Sequence, residues 1–279
     1  MNGKLYLCAT PIGNLGDITY RCVEILSSVD LIAAEDTRRT LGLLNHLNIE
    51  KPLTSYFEHN KKEKGEYLIS EMKQGKNIAL VSDAGTPAIS DPGEDLVKMC
   101  AEAGIDVVPV PGAVAGINAL ITSGFSTQRF AFEGFLTVNK RGRSEHLKSL
   151  ASEQRTMIFY EAPHKLMSTL RDMLETFGDR RIALCRELTK IHEEIYTTTL
   201  TEAIARYEEN PPRGEFVLVI EGKKAEEIAA EKEASWKEMS VSDHVEMYIK
   251  EGMAEKDALK AVAKDRGVSK RDIYNEYKR

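Results

Sequence analysis

Short β-rich runs alternate with helical stretches over residues 1–115, and this rhythm narrows the fold more than any other feature of the chain. Strand candidates are Leu5–Ala9, Leu31–Glu35, Thr54–Phe57, Ile78–Ser82 and Val107–Val110. Between them, Tyr20–Val29 puts Val23, Leu26 and Val29 on one helical face, and Glu66–Lys73 and Glu94–Ala103 also read as helices. A β-α-β-α order predicts a parallel sheet covered by helices on both faces. Such a sheet gathers the loops that follow its strands along one edge, where ligands bind.

After Pro111-Gly112 the pattern changes. A small-residue helix, Ala113–Thr122, ends at Gly124, and strands follow at Phe130–Phe135, Thr156–Tyr160, Ile182–Glu187, Glu194–Thr199 and Phe216–Ile220. Helices are expected at Glu145–Ser152, Lys165–Phe177 and Thr201–Glu208. The connections allow antiparallel neighbours, so the second domain should hold a mixed sheet. The Glu/Lys/Ala-rich stretch Lys223–Trp236 suits a solvated linker or a semi-rigid helix. The expected fold class is therefore α/β, with two α/β domains at 1–115 and 116–223, a linker at 224–238, and a small helical module at 239–279.

With 279 residues, 42% hydrophobic and 29% charged, the chain suits a soluble two-domain protein and excludes disorder. No apolar run reaches membrane-spanning length, and Met1–Thr10 lacks the pattern of a secretory leader, so a cytoplasmic location and no membrane partner are expected. Cys8, Cys22, Cys100 and Cys185 lie far apart in apolar segments without zinc spacing, which points to reduced core residues and no metal site. The net charge of −6 argues against a uniformly basic RNA-coating protein. Charge is nevertheless segregated: residues 250–279 hold nine Lys/Arg against six Asp/Glu, whereas residues 225–249 hold seven acids and two lysines.

Three loops stand out. Thr10-Pro-Ile-Gly-Asn-Leu-Gly-Asp17 follows the first strand, and its glycines let backbone amides approach a ligand. It is not the G-x-G-x-x-G of nicotinamide or flavin sites, and a plain turn with Asp17 capping a helix satisfies it equally well. Val81-Ser-Asp-Ala-Gly-Thr-Pro-Ala-Ile-Ser-Asp-Pro-Gly93 is longer than a strand-to-helix turn needs, with Asp83, Ser90 and Asp91 as polar ligands. Capping by Asp91 and Pro92 explains its end but not Asp83 to Pro87. Pro109-Val-Pro-Gly-Ala-Val-Ala-Gly116 carries only small side chains, fitting either a ligand against backbone or close helix-sheet packing.

In order and spacing these loops resemble the tetrapyrrole methylase superfamily. The segments ATPIGNLGDIT, AAEDTR, EHN, VSDAGTPAISDPG, PVPGAVAGINAL, EGFL, YEAPHKL, CREL and RGEFVLVIEG resemble its ribosomal RNA methylating branch. The resemblance runs from about Leu5 to Gly222 and into the tail, departing at Thr137, where proline is frequent, and at Phe57, where histidine is common. It implies a homodimer with S-adenosylmethionine between the two domains, and 2′-O-methylation of a decoding-centre cytidine in 16S ribosomal RNA or the small subunit. It also implies cofactor contacts at Asp83, Ala84, Gly85 and Ile89, at Val114 and Ala115, and at Tyr160 and Glu161; Ser90 joins them from the reading of its loop.

Methyl transfer from a sulfonium needs alignment and removal of the hydroxyl proton. Candidate catalytic groups are Asp36, Arg38 and His59, with Asn14 orienting; Asp36 capping a helix and His59 as an ordinary loop residue are the plain alternatives. For RNA phosphates, the basic loop Lys140–Arg143 supplies Arg141 and Arg143, and Lys165 opens a helix beside the expected cleft. Ala263, Gly267 and Ile273 have helix-turn-helix spacing, and Ser269-Lys-Arg-Asp272 reads as a capping box that puts Lys270 and Arg271 at a helix start. A packing hairpin fits the same spacing. Two rival functions remain: a tetrapyrrole C-methyltransferase of the same fold, and a non-enzymatic helix-turn-helix ligand sensor.

Overall fold

The computed structural model describes residues 2–278, which form two compact units: residues 2–151 together with 155–221, and residues 152–154 together with 222–278. The larger unit holds both α/β lobes.

In the first lobe, β1 (Leu5–Cys8), β2 (Leu31–Ala34), β3 (Leu53–Ser55), β4 (Ile78–Val81) and β5 (Val107–Val110) form a wholly parallel sheet in the order β3-β2-β4-β1-β5. Alternation along the central strand decides which helices lie on which side. Ile78 and Leu80 pack towards α3 (Lys61–Lys73) and α4 (Gly93–Ala103) through Leu68, Met72, Leu96 and Cys100. Ala79 and Val81 pack towards α1 (Tyr20–Ser28) and α2 (Thr37–His46) through Cys22, Leu26 and Leu44. Helix α2 enters the sequence expectations only as the helix that Asp36 would cap, with no extent given. Only Thr40 and Leu44 of its ten residues are buried, so its apolar periodicity is too faint to read. All four cysteines are buried and free, as expected.

In the second lobe, β6 (Phe130–Phe135), β7 (Thr156–Glu161), β8 (Arg181–Arg186), β9 (Glu194–Thr199) and β10 (Phe216–Ile220) form a mixed sheet in the order β6-β7-β10-β8-β9, parallel only between β6 and β7. One face is covered by α6 (Lys140–Ser149), α7 (Pro163–Phe177) and α8 (Leu200–Glu209). Helix α7 buries Leu166, Leu170, Met173 and Phe177 at alternating spacings of four and three, and Pro163 starts it where a missing N–H costs nothing. Truncating a fully buried leucine such as Leu170 to alanine is worth about 2–5 kcal/mol. The opposite face is covered by α5 (Ala115–Thr122), whose Ala119 and Leu120 pack on Ile158, Ala183, Cys185, Val217 and Val219.

The segment Lys140–Arg143 corrects an expectation: it is the first turn of α6, capped by the Asn139 side chain on the Gly142 amide, not a loop. The helix expected from Glu145 thus starts at Lys140; its polar first turn hid that start, and the helix buries Leu147 alone.

The smaller unit holds α9 (Ala225–Lys237), α10 (Val241–Lys250), α11 (Glu255–Asp265) and α12 (Lys270–Tyr277). The Lys223–Trp236 stretch is thus a helix for most of its length. Val245, Tyr248, Leu259, Val262, Ala263 and Ile273 form its core, and Gly267 turns between α11 and α12 with φ of 64°. Ser269 caps α12 by accepting from the Asp272 amide at 3.2 Å, as the capping-box reading anticipates. His244 is buried and stacked between Trp236 and Tyr248, with Nδ1 accepting from Arg266 Nε at 3.2 Å. Among the described residues, no helix is long and apolar enough to cross a membrane.

Candidate active site

A cleft of about 460 Å³ opens within the larger unit, beyond the carboxyl ends of the first sheet and against β7, β8 and β10 of the second. That size is ordinary for a small-molecule site, for which about 300–1,000 Å³ is typical. A bridge between two loops stands behind it. Thr10 and Gly85 pair reciprocally through their backbones at 2.9 and 3.0 Å, tying the loop after β1 to the loop after β4. Gly85 adopts φ of 86°, a conformation that a side chain would strain.

The loop after β4 is held in an uncommon shape. Ala88 and Ser90 lie in the left-handed region at φ of 67° and 62°, and one Asp91 carboxylate oxygen accepts from the Ala88 and Gly93 amides, both at 2.8 Å. Burial pushes the Asp91 carboxyl up, while the two amides pull it back. This arrangement turns Ile89 and Ser90 into the cleft. Asp83 joins neighbouring loops: Oδ1 accepts from the Asp36 amide at 3.0 Å and Oδ2 meets Arg39 at 3.2 Å. Tyr56, after β3, braces the same loop through its hydroxyl on the Pro92 carbonyl, and burial pushes its pKa up to about 12.

From the second lobe, the Tyr160 hydroxyl accepts from the Gly116 amide at 3.1 Å, fixing the start of α5 beside β7. Glu161 is buried and accepts from Thr169 Oγ1 at 2.6 Å and the Ala162 amide at 2.9 Å. Lys190 bridges Glu187 and Glu215, both at 2.9 Å. Gly214 permits this turn: a Cβ there would lie 2.6 Å from the Glu187 side chain.

The lining has two characters. Ile12, Ala115 and Tyr160 pack against Cys185, Leu188 and Val217, making an apolar slot. Glu35, Asp83, Asp91, Glu161, Glu187 and Glu215 face the cleft against only Arg39 and Lys190, so its field is negative. An apolar slot with a negative surround suits a flat aromatic group attached to a cation.

Most of the expected cofactor positions meet here. Asp83, Ala84, Ile89, Ser90, Ala115, Tyr160 and Glu161 line the cleft; Gly85 and Val114 stand behind it, as the bridge to Thr10 and as the residue before α5. The sequence reading did not reach Ile12, Glu35 or Arg39 individually, nor the wall formed by Cys185, Glu187, Leu188, Lys190 and Glu215–Val217. The CREL and RGEFVLVIEG segments carried that wall, but single-strand periodicity cannot say which face of β8 and β10 meets another lobe.

The expected catalytic groups lie apart. Asp36 caps α2 on the Arg38 amide and grips the Arg38 guanidinium at 3.1 and 2.8 Å, which holds its carboxyl down at about 2. Asn14 Oδ1 caps a single 3-10 turn at Gly16, and His59 is an exposed loop residue edge-on to Phe57; neither lines the cleft. Arg143, expected to meet RNA phosphates, has a side chain only 12% exposed and bound to Asp172 at 2.6 Å, joining α6 to α7. Arg141 is exposed and pairs with Glu145 one turn on; Lys165 lies in the first turn of α7; Lys270 and Arg271 begin α12.

Fold and cleft together define a two-lobed α/β protein whose strand-end loops hold a small ligand between a parallel and a mixed sheet. A family model for tetrapyrrole (corrin/porphyrin) methylases matches residues 4–204, and the chain belongs to that family, one of S-adenosylmethionine-dependent methyltransferases. Relatives named ribosomal RNA small subunit methyltransferase I occur in Halalkalibacterium halodurans and Bacillus subtilis, each 51% identical over 275 residues, covering 99% of this chain and 94% of theirs. A relative of that name in Thermotoga maritima is 49% identical over 221 residues, 79% of this chain but 99% of its own length. Among solved structures, a uroporphyrin-III C-methyltransferase from Thermus thermophilus in complex with S-adenosylhomocysteine superposes with a TM-score of 0.57 at 15% identity, covering 79% of this chain and 98% of that one. A cobalt precorrin-4 methyltransferase gives 0.59 at 17%, covering 78% and 94%. These likenesses show the fold.

Proposed function

We propose that the chain transfers a methyl group from S-adenosylmethionine to the 2′-hydroxyl of a decoding-centre cytidine in 16S ribosomal RNA, acting as a cytoplasmic homodimer. The observation that carries the reading is the match between the cleft and the donor. Adenine suits the apolar slot between Tyr160, Leu188 and Val217, and the cationic methionyl end suits the carboxylate-rich side at Asp83 and Glu161. Ser90, Ala84, Ile89 and Ala115 complete the wall, while Gly85 and Val114 offer backbone. The names of the relatives from H. halodurans and B. subtilis support a ribosomal RNA acceptor.

S-adenosylmethionine supplies an already activated methyl group. The chain therefore has to align the acceptor, exclude water and take up a proton. Asp36 holds Arg38 by two hydrogen bonds, and the 89% exposed Arg38 guanidinium keeps donors for a phosphate. His59 and Asn14 contribute from neighbouring strand-end loops, and Arg141, Lys165, Lys270 and Arg271 supply phosphate contacts. An apolar band on the α5 side of the second sheet, with Ile117, Ile121, Phe130, Phe132 and Ile195 exposed, supports pairing of two copies.

The test is transfer of labelled methyl from S-adenosylmethionine to purified small subunits, followed by mapping of ribose methylation. A 2′-O-methylcytidine at the decoding centre is expected. Label on a base, at another site, or on no subunit RNA overturns the reading.

A further inference from the structure

Resting on the methyl-transfer reading above, we infer that Glu35, at the end of β2, is the residue that takes the proton from the acceptor hydroxyl. The other carboxylates facing the cleft are already engaged. Asp83 accepts from the Asp36 amide and pairs with Arg39. Asp91 is committed to the Ala88 and Gly93 amides, and Glu161 to Thr169 and the Ala162 amide. Glu187 and Glu215 share Lys190. Glu35 lines the same cleft, yet among the described residues its carboxylate has no salt bridge and, apart from the Asp83 backbone amide, no hydrogen-bond partner.

Position and basicity agree with that role. Glu35 follows Ala34 directly, so its backbone is fixed by the β2 pairing with β4 while its side chain remains open to the cleft. A group rigid at its root and open at its tip can reach a hydroxyl brought in from solvent. Desolvation and the neighbouring charges of Asp83 and Asp91 raise its carboxyl above the ordinary glutamate value, with Arg39 and the Asp83 amide partly opposing them. Asp36 next door is held in the opposite direction by Arg38, which makes it a poor proton acceptor.

The step balances. As the 2′-oxygen bonds to the methyl carbon, the carbon–sulfur bond breaks and its electron pair stays on sulfur, leaving a neutral thioether. The hydroxyl proton goes to Glu35 and then to water, so one positive charge leaves the donor and one proton leaves the site.

The experiment compares wild-type protein, Glu35→Gln and Glu35→Asp at saturating cofactor and small subunits, with turnover measured across pH and cofactor affinity measured by calorimetry. Expected for Glu35→Gln is a loss of turnover of about 100- to 10,000-fold, the usual range for a general base, with unchanged cofactor affinity and no acid limb in the residual rate. Glu35→Asp should recover part of the rate and keep the limb. Wild-type activity should fall on acidification, through a limb lying above the ordinary glutamate value. Glu35→Gln turnover near wild type with the acid limb intact overturns the inference, as does a weakened cofactor affinity with normal turnover at saturation, which would make Glu35 a binding residue. If wild-type protein transfers no methyl to subunit RNA, the functional reading falls, and the role of Glu35 falls with it.

Discussion

Replacing Asp91 by alanine should weaken cofactor binding without unfolding the protein, because this carboxylate keeps an otherwise unfavourable loop in place. Ala88 and Ser90 have φ of 67° and 62°. A left-handed conformation costs a non-glycine residue about 1–2 kcal/mol, or about 2–4 kcal/mol for the pair. Opposing that cost, one Asp91 oxygen accepts two amide hydrogen bonds at 2.8 Å, each worth about 1.5–3 kcal/mol to a charged acceptor. The two bonds outweigh the strain by about 1–2 kcal/mol. In Asp91→Ala the loop relaxes, and Ile89 and Ser90 have to be returned to the cleft when ligand binds. A reordering cost of about 2–3 kcal/mol weakens Kd roughly 30- to 150-fold. Asp91→Asn keeps an acceptor oxygen and should lose about tenfold or less. Titration calorimetry with S-adenosylhomocysteine measures the difference, and a thermal melt confirms folding. A folded Asp91→Ala protein with Kd within about threefold of wild type would refute the view that Asp91 pre-organises the site.

Arg143→Ala should lower thermal stability by about 1–2 kcal/mol by stranding half-buried Asp172, with RNA affinity unchanged below the melt. Arg141→Ala should do the reverse, flattening the salt dependence of RNA binding with little change in melting; a reversed pattern would restore Arg143 to the RNA surface. Burial, reinforced by Arg266, pushes His244 below its usual value of 6.5, so the unfolded chain gains a proton before the folded one does. The stability of the smaller unit should be complete above about that value and decline as pH falls through it. Hydrogen exchange of α10 and α11 in the full chain reads this, and equal protection at neutral and mildly acidic pH would contradict it. Deleting residues 236–279 should weaken RNA binding and spare cofactor affinity; undiminished RNA affinity would remove the module from RNA capture.

Sequence by itself determined the two α/β lobes, the parallel first sheet and the mixed second, and the small helical unit, because β-period and helix-period patterning act locally and survive without knowledge of neighbours. It also marked the loop after β4, since its paired prolines and glycines exceed what a turn requires. Tertiary structure decided which further side chains share the cleft and how each one there is paired. Arg143 reads as a surface cation until Asp172, 29 residues away, is seen against it. Asp36 and Glu35 are adjacent acids in sequence, yet one is tied to Arg38 and the other faces the cleft. The extent of helix α2 and the wall from β8 and β10 escaped local reading for a related cause: few of the helix's residues are buried, and which face of a buried strand meets another lobe depends on residues far away in the chain. Patterning fixes elements; ionisation, pairing and access at a site are set by long-range neighbours, whose identity only packing supplies.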